Sequence, residues 1–566
     1  MSTKASSPSS GDNCHTLIAN LVDLHAAAIR AAKIIVTDGV ITAIDDLDAN
    51  AAAPTTFLLP GFVDAHIHVE SSMLTPNQFA RAAVVHGTVA TVSDPHEIAN
   101  VLGRKGVDFM LQSAAKVPLK IQFGVPSCVP ATAFETAGAS LDSVAVAEML
   151  DDPRLGYLAE MMNFPGVLAG DSEVIAKIAA AASRNKPVDG HAPGLRGDSA
   201  RAYVAAGIST DHECTTKEEA LDKLAAGCKI QIREGSAARN FEALFTLIDE
   251  HPANVMFCSD DKHPDQLLVG HINLLVREAI HRGQSMMNVL RCACVNPVEH
   301  YGLDVGLLRV GDAADFIEVA DLTDFKVLRT FIDGVVVAEH GQATFGTTPE
   351  TPLNHFVAEP HSIDDFRVPA PAASATIRVI EAIDGELITT AGEYPARIVD
   401  GRVESDTERD LLKIAVVNRH AKHTEIKPAV AFIKNIGLQS GAIASSVAHD
   451  CHNIVAVGAT DEALCQAVNA IIAAQGGLVA VTSEGESHVL PLPVAGLMST
   501  ESCADVAATY DQLNAVARNL GTNLGAPFMT LSFMALLVIP SLKLSDLGLF
   551  DGSRFAFTSL FVDEAS

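Results

Sequence analysis

The stretch Pro60-Gly61-Phe62-Val63-Asp64-Ala65-His66-Ile67-His68-Val69-Glu70 decides how this chain folds. It is an apolar run of strand character with two histidines two positions apart. Side chains at i and i+2 share a strand face, so both imidazoles point the same way. Two inward histidines at a strand end are costly to bury unless something binds them, and a divalent metal is the usual partner. An isolated His-x-His also occurs as a plain pair of core or surface histidines. Here His and acidic residues recur at further strand ends, which favours the metal.

Outward from this strand, the segment 61–306 alternates strand and helix patterns. Strand candidates cover 62–69, 88–94, 119–126, 156–162, 187–191, 208–213, 229–234 and 255–260, with helix-like stretches such as 172–183, 217–226 and 241–250 between them. Eight strands alternating with helices predict an α/β fold, a (β/α)8 barrel of the TIM type. In such barrels chemistry sits at the C-terminal strand ends. Here those ends carry His66 and His68, then Asp94, Glu160, His191, His212, Glu234 and Asp260.

The flanks read differently. Residues 1–60 and 307–350 hold short β-like runs with Asp38-Gly39 and Asp333-Gly334 as hairpin signals. Neither flank has enough apolar surface to fold alone, so the two are expected to pair into one small β-domain around the barrel. A Pro- and Ala-rich linker is expected at 351–376, followed by a separate α+β domain over 377–566.

Composition narrows the class. The 566 residues are 48% hydrophobic and 19% charged, which suits a well-packed enzyme rather than a disordered chain. A formal net charge of −30 argues against nucleic acid or an anionic membrane as partner. The ten cysteines are scattered with no Cys-x-x-Cys, the first sixteen residues lack the basic start and apolar core of a signal peptide, and the longest apolar run, 528–540, is too short to span a bilayer. A cytoplasmic protein is expected, as a homo-oligomer that in the simplest case is a dimer.

The candidate chemistry follows from ligand type. His66, His68, His191, His212, Glu160 and Asp260 form an all-nitrogen-and-oxygen set suited to two adjacent ions of Mn, Fe or Zn, with a carboxylate bridging them. Such a pair supplies an activated water at neutral pH. Asp260 would take the proton from that water and pass it to a leaving group. Of the neighbours Asp260 and Asp261, strand alternation allows only one to face inward, and the sequence leaves both as catalytic candidates.

With these residues in view, the chain resembles the amidohydrolase superfamily, through Pro60 to His68 and the later Gly311-Asp312-Ala313-Ala314-Asp315-Phe316. Within it, the chain resembles the bacterial adenine deaminase family. The matching stretches include Ser93-Asp94-Pro95-His96-Glu97, Glu160-Met161-Met162-Asn163-Phe164-Pro165, Asp211-His212-Glu213, Ile232-Arg233-Glu234-Gly235, Cys258-Ser259-Asp260-Asp261 and Val447-Ala448-His449-Asp450. The resemblance implies hydrolytic deamination of adenine to hypoxanthine and ammonia, with Mn or Fe favoured and Zn admissible. It also implies that Glu160 takes the bridging place, and no lysine lies between Leu155 and Gly170 to compete for it. Two other readings are a hydrolase for a different cyclic amidine or amide, and a non-catalytic metal-binding barrel.

Further residues stay open at this level. Asp94 and His96 are substrate-contacting groups or extra ligands, or else a helix cap and a loop histidine. Arg233 and Glu234 either read the purine edge or form an ion pair. Cys128 lines the pocket or is a buried inert thiol. His449, Asp450 and His452 suit a structural or lid role better than a second metal site.

Overall fold

The computed structural model describes residues 14–48, 51–421 and 427–562. The polar stretch read as lacking a signal peptide lies outside the described residues as far as Asn13.

The chain opens with β1 (Cys14–Asp23), β2 (Ala28–Thr37), β3 (Val40–Asp46) and β4 (Phe57–Pro60). Asp38 and Gly39 both take positive φ between β2 and β3, the backbone of a tight hairpin that Asp-Gly tolerates at low cost. The barrel strands follow: β5 (Phe62–Ile67), β6 (Thr88–Ser93), β7 (Lys120–Val125), β8 (Leu155–Met161), β9 (Val188–Gly190), β10 (Thr210–Asp211), β11 (Lys229–Arg233) and β12 (Val255–Cys258). Beyond them come β13 (Phe316–Val319), β14 (Val327–Ile332), β15 (Val335–Glu339) and β16 (Gln342–Ala343).

Strands β5 to β9 form one parallel sheet and β10 to β12 another. The seams close the ring. Ser209 N–H donates to Val188 O beside β9. At the other seam Asp260 N–H donates to His66 O at 2.9 Å, and Ile67 bridges Asp260 in parallel register. The result is the (β/α)8 barrel that the alternation predicts. The predicted helix 241–250 is broken into Phe241–Leu244 and Leu247–Glu250.

A second sheet, in the order β16-β15-β14-β13-β4-β1-β2-β3, joins segments from both sides of the barrel. Strand β4 is the joint, parallel to β1 and antiparallel to β13. It runs into Gly61 and β5, so this sheet anchors the first barrel strand directly.

The C-terminal part carries another eight-stranded sheet, with Leu412–Val417 and Ala429–Lys434 near its centre and the helix Asp461–Ala474 packed on it. It docks on the barrel through specific bonds. Asn453 Nδ2 donates to Thr136 O, Thr136 N–H donates to Asp546, and His263 Nδ1 lies 2.9 Å from the Tyr510 hydroxyl. Among the described residues no helix is long and apolar enough to cross a membrane.

Candidate active site

The C-terminal strand ends bring their side chains to one buried point. His66 and His68 leave β5 on the same face, and their Nε2 atoms stand 3.2 Å apart. Glu160, the penultimate residue of β8, lies between the histidine groups. Its Oε1 faces His68 Nε2 at 3.4 Å and His96 Nδ1 at 3.5 Å. Its Oε2 faces His191 Nδ1 at 2.8 Å and His212 Nε2 at 3.2 Å. Asp260 Oδ1 lies 3.3 Å from His68 Nε2 and 3.8 Å from His66 Nε2. His68 Nδ1 is 3.2 Å from the carbonyl of Asp94; as the N–H donor there, it turns the Nε2 lone pair to the cluster.

The electrostatics suit cations. Burial alone would raise the Glu160 carboxyl, but the charge and hydrogen bond of His191, the hydrogen bond of His212 and the charge of His68 overcome it and hold Glu160 well below the ordinary range. Asp260 is likewise pushed up by burial but held well below its ordinary value by Arg233, His68 and His212. Both carboxylates therefore stay ionised. Burial lowers His191, yet Glu213 and Glu160 lift it to about 9. Buried polar atoms beside Glu160 have no hydrogen-bond partner: both oxygens of Asp94 and both ring nitrogens of His96. Unpaired buried polar atoms are rare in folded proteins and are a mark of a missing ligand.

The donor set fits divalent metal ions. Donor atoms of His66, His212 and Asp260 lie within 4.8 Å of one another, as do those of Glu160, His191 and His212, and those of His68, Asp94, His96 and Glu160. Glu160 belongs to two of these groups, one through each side of its carboxylate. Imidazole with carboxylate is a ligand chemistry for Mn, Fe or Zn.

The structure brings most sequence candidates here. Asp94 Oδ2 lies 3.2 Å from His96 Nδ1, and both sit beside Glu160. Arg233 pairs with both Glu213 and Asp260, so the ion-pair reading of Arg233 describes its contacts. Glu234 is not brought to the cluster. It lies one residue past the end of β11, half-buried and 3.8 Å from Arg239, outside the cleft lining.

Asp261 departs from the expectation that only one of the two aspartates faces in. Strand β12 ends at Cys258, and Asp260 adopts a left-handed φ of 52°, which ends the alternation. Asp261 therefore also reaches the cleft, accepting from Ser71 Oγ at 2.5 Å. Burial and the Asp260 charge push its carboxyl up. Cys128 is a buried thiol, 3.9 Å from Met161 Sδ, that burial pushes up, and it does not line the cleft.

Other lining residues come from distant sequence. Glu213 faces His191 and His212 at 3.6 and 3.5 Å. Its signals in the sequence were its place one residue after His212 and the matching stretch Asp211-His212-Glu213. The C-terminal part contributes Asp450, 3.6 Å from His96 Nε2, together with His449, Leu387, Phe533 and Leu536. Phe533 stacks on His449 with ring centroids 4.9 Å apart. His452 and His449 lie near Glu97 at 3.8 and 4.0 Å.

Comparison with known proteins adds the following. The amidohydrolase family pattern matches residues 57–337, and the adenine deaminase C-terminal domain matches residues 386–556. The chain is 56% identical to an adenine deaminase of Salinibacter ruber over 97% of this chain and 99% of that one. It is 54% identical to an adenine deaminase of Methanosarcina barkeri, over 90% of this chain and 93% of that one. An adenine deaminase of Sulfurovum is 54% identical over 95% of this chain and 98% of its own length.

Proposed function

The chain belongs to the adenine deaminase family of amidohydrolases, and we propose that the buried cluster at the barrel mouth is where it works. The reaction is hydrolysis of adenine to hypoxanthine and ammonia. His66, His68, Glu160, His191, His212 and Asp260 would hold two divalent ions, Mn or Fe in preference to Zn. Ions bound there supply Lewis acidity and lower the pKa of water to near neutrality.

The observation that carries this reading is the division of Glu160, one oxygen toward His68 and the other toward His191 and His212. A single carboxylate shared in this way suits a bridge between two cations.

The chain's own groups then account for the proton traffic. C6 of adenine is an amidine carbon. Asp260 Oδ1 faces the cluster while Arg233 holds Oδ2. Asp260 is thereby aimed to accept the proton of the attacking water and to return it to the departing amine at C6. Asp94 and His96, side by side next to Glu160, are the candidates to contact the base. Met162, Leu387, Phe533 and Leu536 offer the apolar surface that the flat faces of a purine need.

The units 1–60 with 307–350, 61–306 and 377–566 serve as small β-domain, catalytic barrel and C-terminal domain; the expected linker 351–376 is partly built into the last of these, with Phe366 buried against Ala415 and Ile454 and Val368–Pro369 paired with Arg402 and Val403. A cytoplasmic location fits the free cysteines. The test is ammonia release from a panel of adenine, guanine, cytosine and a hydantoin, on protein loaded separately with Mn, Fe and Zn. Turnover confined to adenine supports the reading; turnover confined to a cyclic amide overturns it.

A further inference from the structure

Lys543 lies in the strand Leu542–Ser545 and is fully buried. Its Nζ donates to Leu387 O at 2.6 Å and to Phe533 O at 3.0 Å. Among the described residues no carboxylate pairs with it, and burial alone lowers its amine to about 7. A buried lysine without a counter-ion is unfavourable, and a methionine would fill the same space without that cost. The two carbonyls it holds explain what it does there.

Both bonds end on residues whose side chains line the metal-cluster cleft. Phe533 opens the short turn Phe533–Ala535, and its carbonyl also accepts from Leu536 N–H at 3.2 Å. Leu536 lines the cleft too. One amine thus joins two segments about 150 residues apart in sequence and fixes all three apolar cleft residues of the C-terminal part, Leu387, Phe533 and Leu536. Thr389 reinforces the junction, its Oγ1 donating to Leu542 O at 2.8 Å.

We propose that Lys543 is a positioning residue for adenine binding, tying the Leu387 and Phe533–Leu536 segments into a rigid wall against which the purine packs. It acts through these neighbours and does not touch the reacting atoms. The proposal rests on the adenine reading above for its substrate and on hydrogen-bond geometry for its mechanism.

The test is the Lys543→Met variant of the full-length, metal-loaded protein. KM for adenine should rise about tenfold, the worth of a loosened binding surface, while kcat and metal content stay within about twofold. Lys543→Gln, which keeps an amide donor, should fall between Met and wild type. In a Phe533→Ala background, Lys543→Met should add little, because the wall it holds is already gone. Amide exchange at Leu536 should accelerate in Lys543→Met. An unchanged KM, or losses of kcat and metal content as large as the rise in KM, overturns the proposal, as do multiplicative effects in the double variant. If Lys543→Met does not fold, a wild-type KM in Lys543→Gln overturns it instead. A wild-type protein inert on adenine defeats the substrate reading alone; the clamp is then decided by exchange at Leu536, and unchanged exchange overturns it.

Discussion

Arg233 Nη1 stands 2.6 Å from Asp260 Oδ2, with both side chains buried. Its other contacts are both oxygens of Glu213. One guanidinium therefore fixes the acid-base candidate and a carboxylate that faces His191 and His212. It leaves Asp260 Oδ1 free to face the histidines of β5.

Removing this cation should leave two buried carboxylates short of a partner. Arg233→Met is expected to lower the melting temperature, since breaking a buried pair from one side costs about 3–5 kcal/mol. Adenine turnover should drop roughly 100-fold as Asp260 loses its aim. Arg233→Lys keeps charge but loses the planar fork, so it should recover stability more than turnover. Thermal unfolding and steady-state kinetics on the two variants check this; matching losses in both would contradict it.

Glu160→Gln preserves shape and removes the charge that offsets two divalent cations. Metal content, measured by elemental analysis after desalting, should fall from about two ions per chain toward one or fewer. Retention of the full complement would show that Glu160 is not the bridge.

The two aspartates at the end of β12 should separate by role. Asp260→Asn is expected to reduce turnover by roughly two to four orders of magnitude, the worth of a positioned acid-base group, with part of the metal retained. Asp261→Asn keeps an acceptor for Ser71 and relieves like charge against Asp260, so its loss should stay under about tenfold. The opposite ranking would transfer the proton role to Asp261.

Glu234 supplies a control at the next strand. Its side chain lies beside Arg239, away from the histidines. Glu234→Gln should leave kcat/KM within about twofold, as for other substitutions outside the site. A hundredfold loss would mean that Glu234 reaches substrate.

The barrel and its histidines were legible because they rest on short periods. Alternation along β5 puts His66 and His68 on one face, and the βα repeat sets the strand ends together. Alternation failed at Asp260, where a left-handed residue just past the strand turns the next side chain inward. Leu387, Asp450 and Phe533 were out of reach for a different reason. They enter the site through tertiary docking of the C-terminal part, and no local pattern records which loop covers the barrel mouth. The stretch Val447 to Asp450 suggested a structural or lid role, not that Asp450 would stand 3.6 Å from His96.

In the proposed function, two metal ions held by His66, His68, Glu160, His191, His212 and Asp260 carry the deamination. Titration of metal-free protein with Mn, followed by ammonia release from adenine, tests it most directly. Activity should rise with added metal and level off at about two equivalents per chain. Full activity at one equivalent, or turnover that survives complete removal of metal, would contradict it.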